Sequence, residues 1–136
     1  MLTTLKRRLG DWGEDCAVKW LTERGYRIWE RNWRLRGGEI DIVAVKQSGW
    51  LKNKIEQVVF VEVKTIKSED EAAAALAAQN VHHFKRQRLI RTAQNYLIKK
   101  RIPVETPWQI DVLIVVADQD GGLKQIQHLA NAVWAE

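Results

Sequence analysis

Two stretches decide the fold: Gly38-Glu39-Ile40-Asp41-Ile42-Val43 and Val59-Phe60-Val61-Glu62-Val63-Lys64. Both read as β-strands rich in β-branched residues, and both carry charges where a buried strand carries none. Strand side chains alternate between faces with a period of two. The alternation predicts Glu39 and Asp41 on one face, with Ile40, Ile42 and Ala44 on the other. In the second stretch Val59, Val61 and Val63 share one face, and Phe60, Glu62 and Lys64 the opposite one. Laid side by side, the two strands bring Asp41, Glu62 and Lys64 to one edge of a sheet. Two carboxylates beside a lysine suit a hard divalent cation and a phosphate.

Around these strands the pattern predicts a first helix over 9–24 that stops at Gly25. Ala17, Val18 and Leu21 form its apolar stripe, and Glu14 falls at matching helical offsets before them. A strand over 26–33, a basic loop with Arg34 and Arg36, and a Gly37-Gly38 turn lead into the strand over 39–45. The polar stretch 46–56 reads as a hairpin connection to the central strand, 57–65. Ser68-Glu69-Asp70-Glu71 is a capping box before the Ala-rich run 72–78. A helix over 81–100, a turn bracketed by Pro103 and Pro107, a buried strand over 109–116 containing Asp111, and a short strand over 124–129 complete the chain. Helix, strands, helices, strands: the order implies a mixed α/β sheet with helices packed on it.

The chain of 136 residues is expected to form one domain, 1–136. A hydrophobic fraction of 46% supplies enough apolar material for a core. The net charge of +5, with no apolar run long enough to span a bilayer, makes nucleic acid the leading partner class and no membrane is expected. A single cysteine, Cys16, excludes an internal disulfide and a Cys-rich zinc site. It reads as a small packing residue of a cytoplasmic protein.

Phosphodiester hydrolysis needs a nucleophilic water, a held phosphate and charge relief at the leaving oxygen, all of which Mg²⁺ or Mn²⁺ can contribute. Asp41 and Glu62 offer carboxylates for such an ion, and a backbone carbonyl such as that of Val63 can complete the shell. Lys64 lies roughly 7 Å along the strand from Glu62, on the same face. The competing reading is a solvated strand face with Glu62 and Lys64 paired to cross-strand charges. The recurrence of acids at Glu39 and Asp41, and Glu14 on a packing face, tilts the balance to a metal site, because a carboxylate there is costly unless paired or metal-bound.

Gly13-Glu14, Gly25-Tyr26, Arg31-Asn32, Gly38-Glu39-Ile40-Asp41, Phe60-Val61-Glu62-Val63-Lys64-Thr65 and the Asp111 strand together resemble the YraN-like family of small bacterial proteins. That family looks like a branch of the PD-(D/E)xK nuclease superfamily and is similar to archaeal Holliday-junction resolvases. The resemblance implies a restriction-endonuclease-like fold around a mixed central sheet. It implies catalytic and metal-binding roles for Asp41 and Glu62, a catalytic role for Lys64, and a catalytic and metal-binding role for Glu14, assisting directly or through water. Glu39 and Asp111 lie in family motifs. Lys85 resembles a basic position facing substrate, but Ile66 stands where a basic residue is usual.

From residue 84 to 101 there are seven basic residues and no acid. Lys85, Arg86 and Arg88, with Arg31, Arg34 and Arg36, are the candidate phosphate-contacting residues, and such binding would be strongly salt-dependent. A solvated helix face accounts for the run equally well. No base-reading motif is present, so recognition by shape is expected. His82, His83 and His128 read as surface residues, Trp20, Trp29 and Trp108 as core, and Trp12, Trp33, Trp50 and Trp134 as candidates for exposure. The leading expectation is a Mg²⁺- or Mn²⁺-dependent endonuclease acting on branched or damaged DNA, for which paired cuts would call for a homodimer. The alternatives are a non-catalytic nucleic-acid-binding module and an interaction subunit on the same fold.

Overall fold

The structure is a computed structural model that describes residues 2–48, 54–68 and 83–133. The capping box, apart from Ser68, and the Ala-rich run lie outside these residues, as do His82, Trp50 and Trp134. The elements run α1 (Leu2–Glu23), β1 (Arg27–Leu35), β2 (Gly38–Ser48), β3 (Lys54–Lys67), α2 (His83–Lys99), β4 (Trp108–Ala117) and β5 (Leu123–Val133). Helix α1 starts seven residues before the expected boundary, and β5 extends well beyond 124–129.

Helix α1 ends where glycine permits a left-handed residue. Gly25 has φ +87, the Tyr26 amide donates to the Leu21 carbonyl at 3.1 Å, and the Gly25 amide to that of Thr22. Five strands form one sheet in the order β1-β2-β3-β4-β5. All neighbours are antiparallel except β3 and β4, which are parallel and joined through the α2 segment. This mixed sheet with a helix packed on each face is the α/β arrangement expected of a restriction-endonuclease-like fold.

The two faces hold separate cores. Ala17 and Leu21 of α1 pack with Ile42, Ala44, Val59, Val61, Leu113 and Val115. Leu89, Ala93 and Tyr96 of α2 pack with Ile40, Val43, Val45, Phe60 and Ile110. Strand β4 is buried along nearly its whole length, as its run of β-branched residues requires. Trp33 is half-buried rather than exposed, because its ring meets Tyr96 edge-to-face at 5.0 Å.

Strict alternation fails in β2. Ile40 joins the α2 core while Ile42 and Ala44 join the α1 core, so the face changes across Asp41. The pairing explains what happens there. The β2–β3 ladder ends at Ile42↔Val61, yet β1–β2 pairing continues to Leu35↔Gly38 and β3–β4 pairing to Lys67↔Ala117. The sheet splits between β2 and β3, and the split opens a cleft.

Helix α1 approaches β3 so closely at Gly13 that a Cβ would overlap the Thr65 side chain, whereas Gly10, one turn earlier, has nothing within 4 Å of its Cβ position. Gly10→Ala should therefore stabilise the protein by about 0.5–1 kcal/mol, the ordinary helical gain. Gly13→Ala should destabilise it by about 1–3 kcal/mol through overpacking. Urea midpoints of the two variants check this, and equal effects would contradict the close contact.

Candidate metal centre

The cleft has a volume of about 1080 Å³, and its walls include Glu14 from α1, Glu39 and Asp41 from β2, Glu62, Val63 and Lys64 from β3, Arg34 from β1 and Arg88 from α2. The strand split puts Asp41 on one lip and Glu62 on the other. Asp41 reaches across: its Oδ2 accepts the Val63 N–H at 2.8 Å, taking up a backbone donor that the ended ladder no longer pairs. Glu62 is only 8% exposed, and its Oε1 lies 3.7 Å from Lys64 Nζ. The grouping of Asp41, Glu62 and Lys64 around one opening thus follows from where two ladders continue and one stops.

Acidic groups crowd this opening. Burial pushes the Asp41 carboxyl from its ordinary 3.8 up to about 7, helped by the negative charges of Glu62, Glu14 and Glu39 and opposed by the Val63 N–H. Burial likewise raises Glu14, against the pull of Arg31. Glu14 Oε1 is buried without a hydrogen-bond partner. A buried acceptor without a donor, beside carboxylates that repel one another, is an environment that a cation would relieve. The available donors are all oxygen, the chemistry preferred by Mg²⁺ and Mn²⁺. Among the described residues no three His, Cys, Asp or Glu side chains converge into a ready-made metal cage. An ion held here would use Asp41 and Glu62 and draw its remaining ligands from a carbonyl, water or substrate, as Mg²⁺ commonly does.

The basic candidates are dispersed. Arg88 is exposed and lines the cleft. Arg34 lines it too, with its Nε 3.6 Å from Glu39 Oε2. Arg31 is bound to Asp15 of α1 at 2.8 Å, and Arg36 sits exposed in the β1–β2 turn. Arg86 is half-buried, with its Nε enclosed and unpartnered. Lys85 belongs to α2, but its side chain lies outside the described set.

Sequence reading missed one polar network. Asp111, 1% exposed, accepts from the Asn131 N–H at 2.8 Å and from Gln109 Nε2 at 2.7 Å. His128 Nε2 lies 2.7 Å from its other oxygen, and the imidazole meets Trp20 edge-to-face at 5.1 Å. His128 is thus a partner of a buried acid rather than a bare surface residue. The signal was Asp111 itself, since a buried carboxylate demands donors. Asp111 does not line the acidic cleft.

Because the folded chain holds the Asp41 proton up to about pH 7 and the unfolded chain only to about 3.8, the folded state carries the extra proton between those values. The contribution of Asp41 to metal-free stability should fall as pH rises from 4 to 7 and level off above. Asp41→Asn removes the charge, so the variant should exceed the parent by on the order of a few kcal/mol at pH 8 and match it near pH 4. Urea unfolding in EDTA across pH 4–8 checks this. A variant equally stable to the parent at pH 8 would contradict the burial of that charge.

Residues 13–115 match the family model described as "Uncharacterised protein family UPF0102". The chain is 38% identical over 132 residues to a UPF0102 protein of Roseiflexus castenholzii, covering 97% of this chain and 98% of that one. A UPF0102 protein of Chloroflexus aurantiacus is similar to the same degree and extent. One from Trichlorobacter lovleyi is 39% identical over 124 residues, covering 91% and 88% of the two chains. With Glu14, Asp41, Glu62 and Lys64 all inside the matched segment, this chain belongs to the UPF0102 family.

Proposed function

We propose that this protein is a Mg²⁺- or Mn²⁺-dependent DNA endonuclease of the PD-(D/E)xK type. The observation that carries the reading is the cleft at the strand split, where Asp41, Glu62 and Lys64 line one opening and Asp41 is fixed by the Val63 N–H. Asp41 and Glu62 hold the cation. When bound, the cation supplies Lewis-acid charge relief and lowers the pKa of water. Glu14 offers its free Oε1 to a water hydrogen. Lys64 donates to the attacking water or to a non-bridging phosphate oxygen, and its ammonium offsets charge that builds on the phosphoryl group. In the overall reaction the water oxygen bonds to phosphorus and one bridging P–O bond breaks. The products are a phosphate monoester and a sugar hydroxyl, which takes a proton.

Arg88 and Arg34 at the cleft, with the net charge of +5, favour a polyanionic substrate. They engage phosphates without reading bases, which fits a substrate chosen by branch or damage geometry. No helix among the described residues is long and apolar enough to cross a membrane.

The test is a panel of labelled single-stranded, duplex, flap and four-way-junction DNAs incubated with Mn²⁺ or Mg²⁺. Lys64→Ala should lower cleavage by about 100-fold or more while binding to the same DNA persists. Cleavage that survives in Lys64→Ala would overturn the catalytic assignment. Binding without cleavage on every substrate and metal would replace the enzyme with a nucleic-acid-binding module.

A further inference from the structure

Asn32 lies within β1 yet has φ 51, in the left-handed region that strand residues avoid. The ladder pairs Arg31 with Ile42 and Trp33 with Ile40, so the residue opposite Asn32 is Asp41. The faces change at this same pair. Arg31 reaches Asp15 on the α1 side and Ile42 sits in the α1 core. Trp33 and Ile40, two residues further along their strands, pack in the α2 core. Residues two apart in a regular strand share a face. Here both strands switch together, which needs a local departure from extended backbone, and Asn32 supplies one.

The consequence falls on Asp41. In a regular strand its side chain would stand perpendicular to the sheet on one face. At the switch it lies between faces, and its carboxylate reaches the Val63 N–H across the split from β3. We infer that Asn32 is the positioning residue of the centre: its left-handed backbone turns the β1–β2 pair so that Asp41 spans the split. The inference rests on the cation-holding role proposed for Asp41, but the geometry it invokes is present without any ion. Asn32 is exposed, so its side chain is not needed to fill a core. The requirement is conformational, one that glycine meets freely, asparagine readily, and a β-branched residue poorly.

The test is amide hydrogen exchange on the metal-free protein, comparing Asn32→Gly and Asn32→Val with the parent. Asn32→Gly should keep the Val63 amide protected. Asn32→Val should lower Val63 protection by about tenfold, while amides of β4 exchange as in the parent. Mn²⁺ affinity, measured by calorimetry, should fall in Asn32→Val and hold in Asn32→Gly. Unchanged Val63 protection in Asn32→Val would overturn the inference. So would an equal loss throughout β4, which marks general destabilisation, or an equal loss in Asn32→Gly, which marks a role for the side chain. If the parent binds no Mn²⁺, the metal reading fails, and the exchange data still decide whether Asn32 places Asp41.

Discussion

The hydrogen bond from the Val63 amide to Asp41 is the contact on which the centre depends. A sheet that splits between two strands leaves unpaired backbone groups at the fork, and a buried unpaired N–H costs about as much as a lost hydrogen bond. Asp41 occupies the fork and satisfies that donor. It does so with a group whose pKa burial and neighbouring acids push up to about 7 even against the lowering effect of that N–H. The same bond therefore closes a backbone defect and holds a carboxylate where only an opposite charge makes its ionised form comfortable. Structural need and site chemistry meet in one atom pair.

The surroundings keep this arrangement narrow. On one face Gly13 lets α1 lie directly on Thr65, one residue after Lys64, which brings Glu14 to the cleft. On the other face Gly38, at the start of β2, leaves no room for a Cβ beside Thr92 of α2. Thr92 is itself tied back to the Arg88 carbonyl at 2.7 Å. Both helices thus approach the lips of the fork at glycines, where a larger residue would push the walls apart. The distal polar network around Asp111 does comparable structural work between β4 and β5, and all of its carboxylate contacts are internal.

Much of this was legible in the residues. The run from Val59 to Val63 and the Val112–Val116 strand announce themselves by β-branched composition, and α1 by its 3.6-residue stripe and the glycine after it. Strand periodicity also put Glu62 on the face of Phe60, but the reach of Asp41 across the fork depends on where the β2–β3 ladder stops. The orientation of Ile40 was not legible, because periodicity assumes regular backbone and a single left-handed residue on the neighbouring strand resets it. The partners of Arg31 and Arg34 were hidden for a different reason. A basic residue looks available until the fold brings Asp15 or Glu39 against it. His128 and Asp111 are 17 residues apart, and only the β4–β5 register makes them neighbours.

The proposed cation site at the fork between β2 and β3 is open to direct observation. The most direct measurement is an anomalous difference map from crystals soaked in Mn²⁺ at pH 8. A cation site at the fork should give a peak in the cleft bonded directly to carboxylate oxygens of Asp41 and Glu62, with Glu14 nearby. A map with no peak there, or with Mn²⁺ bound only elsewhere on the molecule, would contradict it.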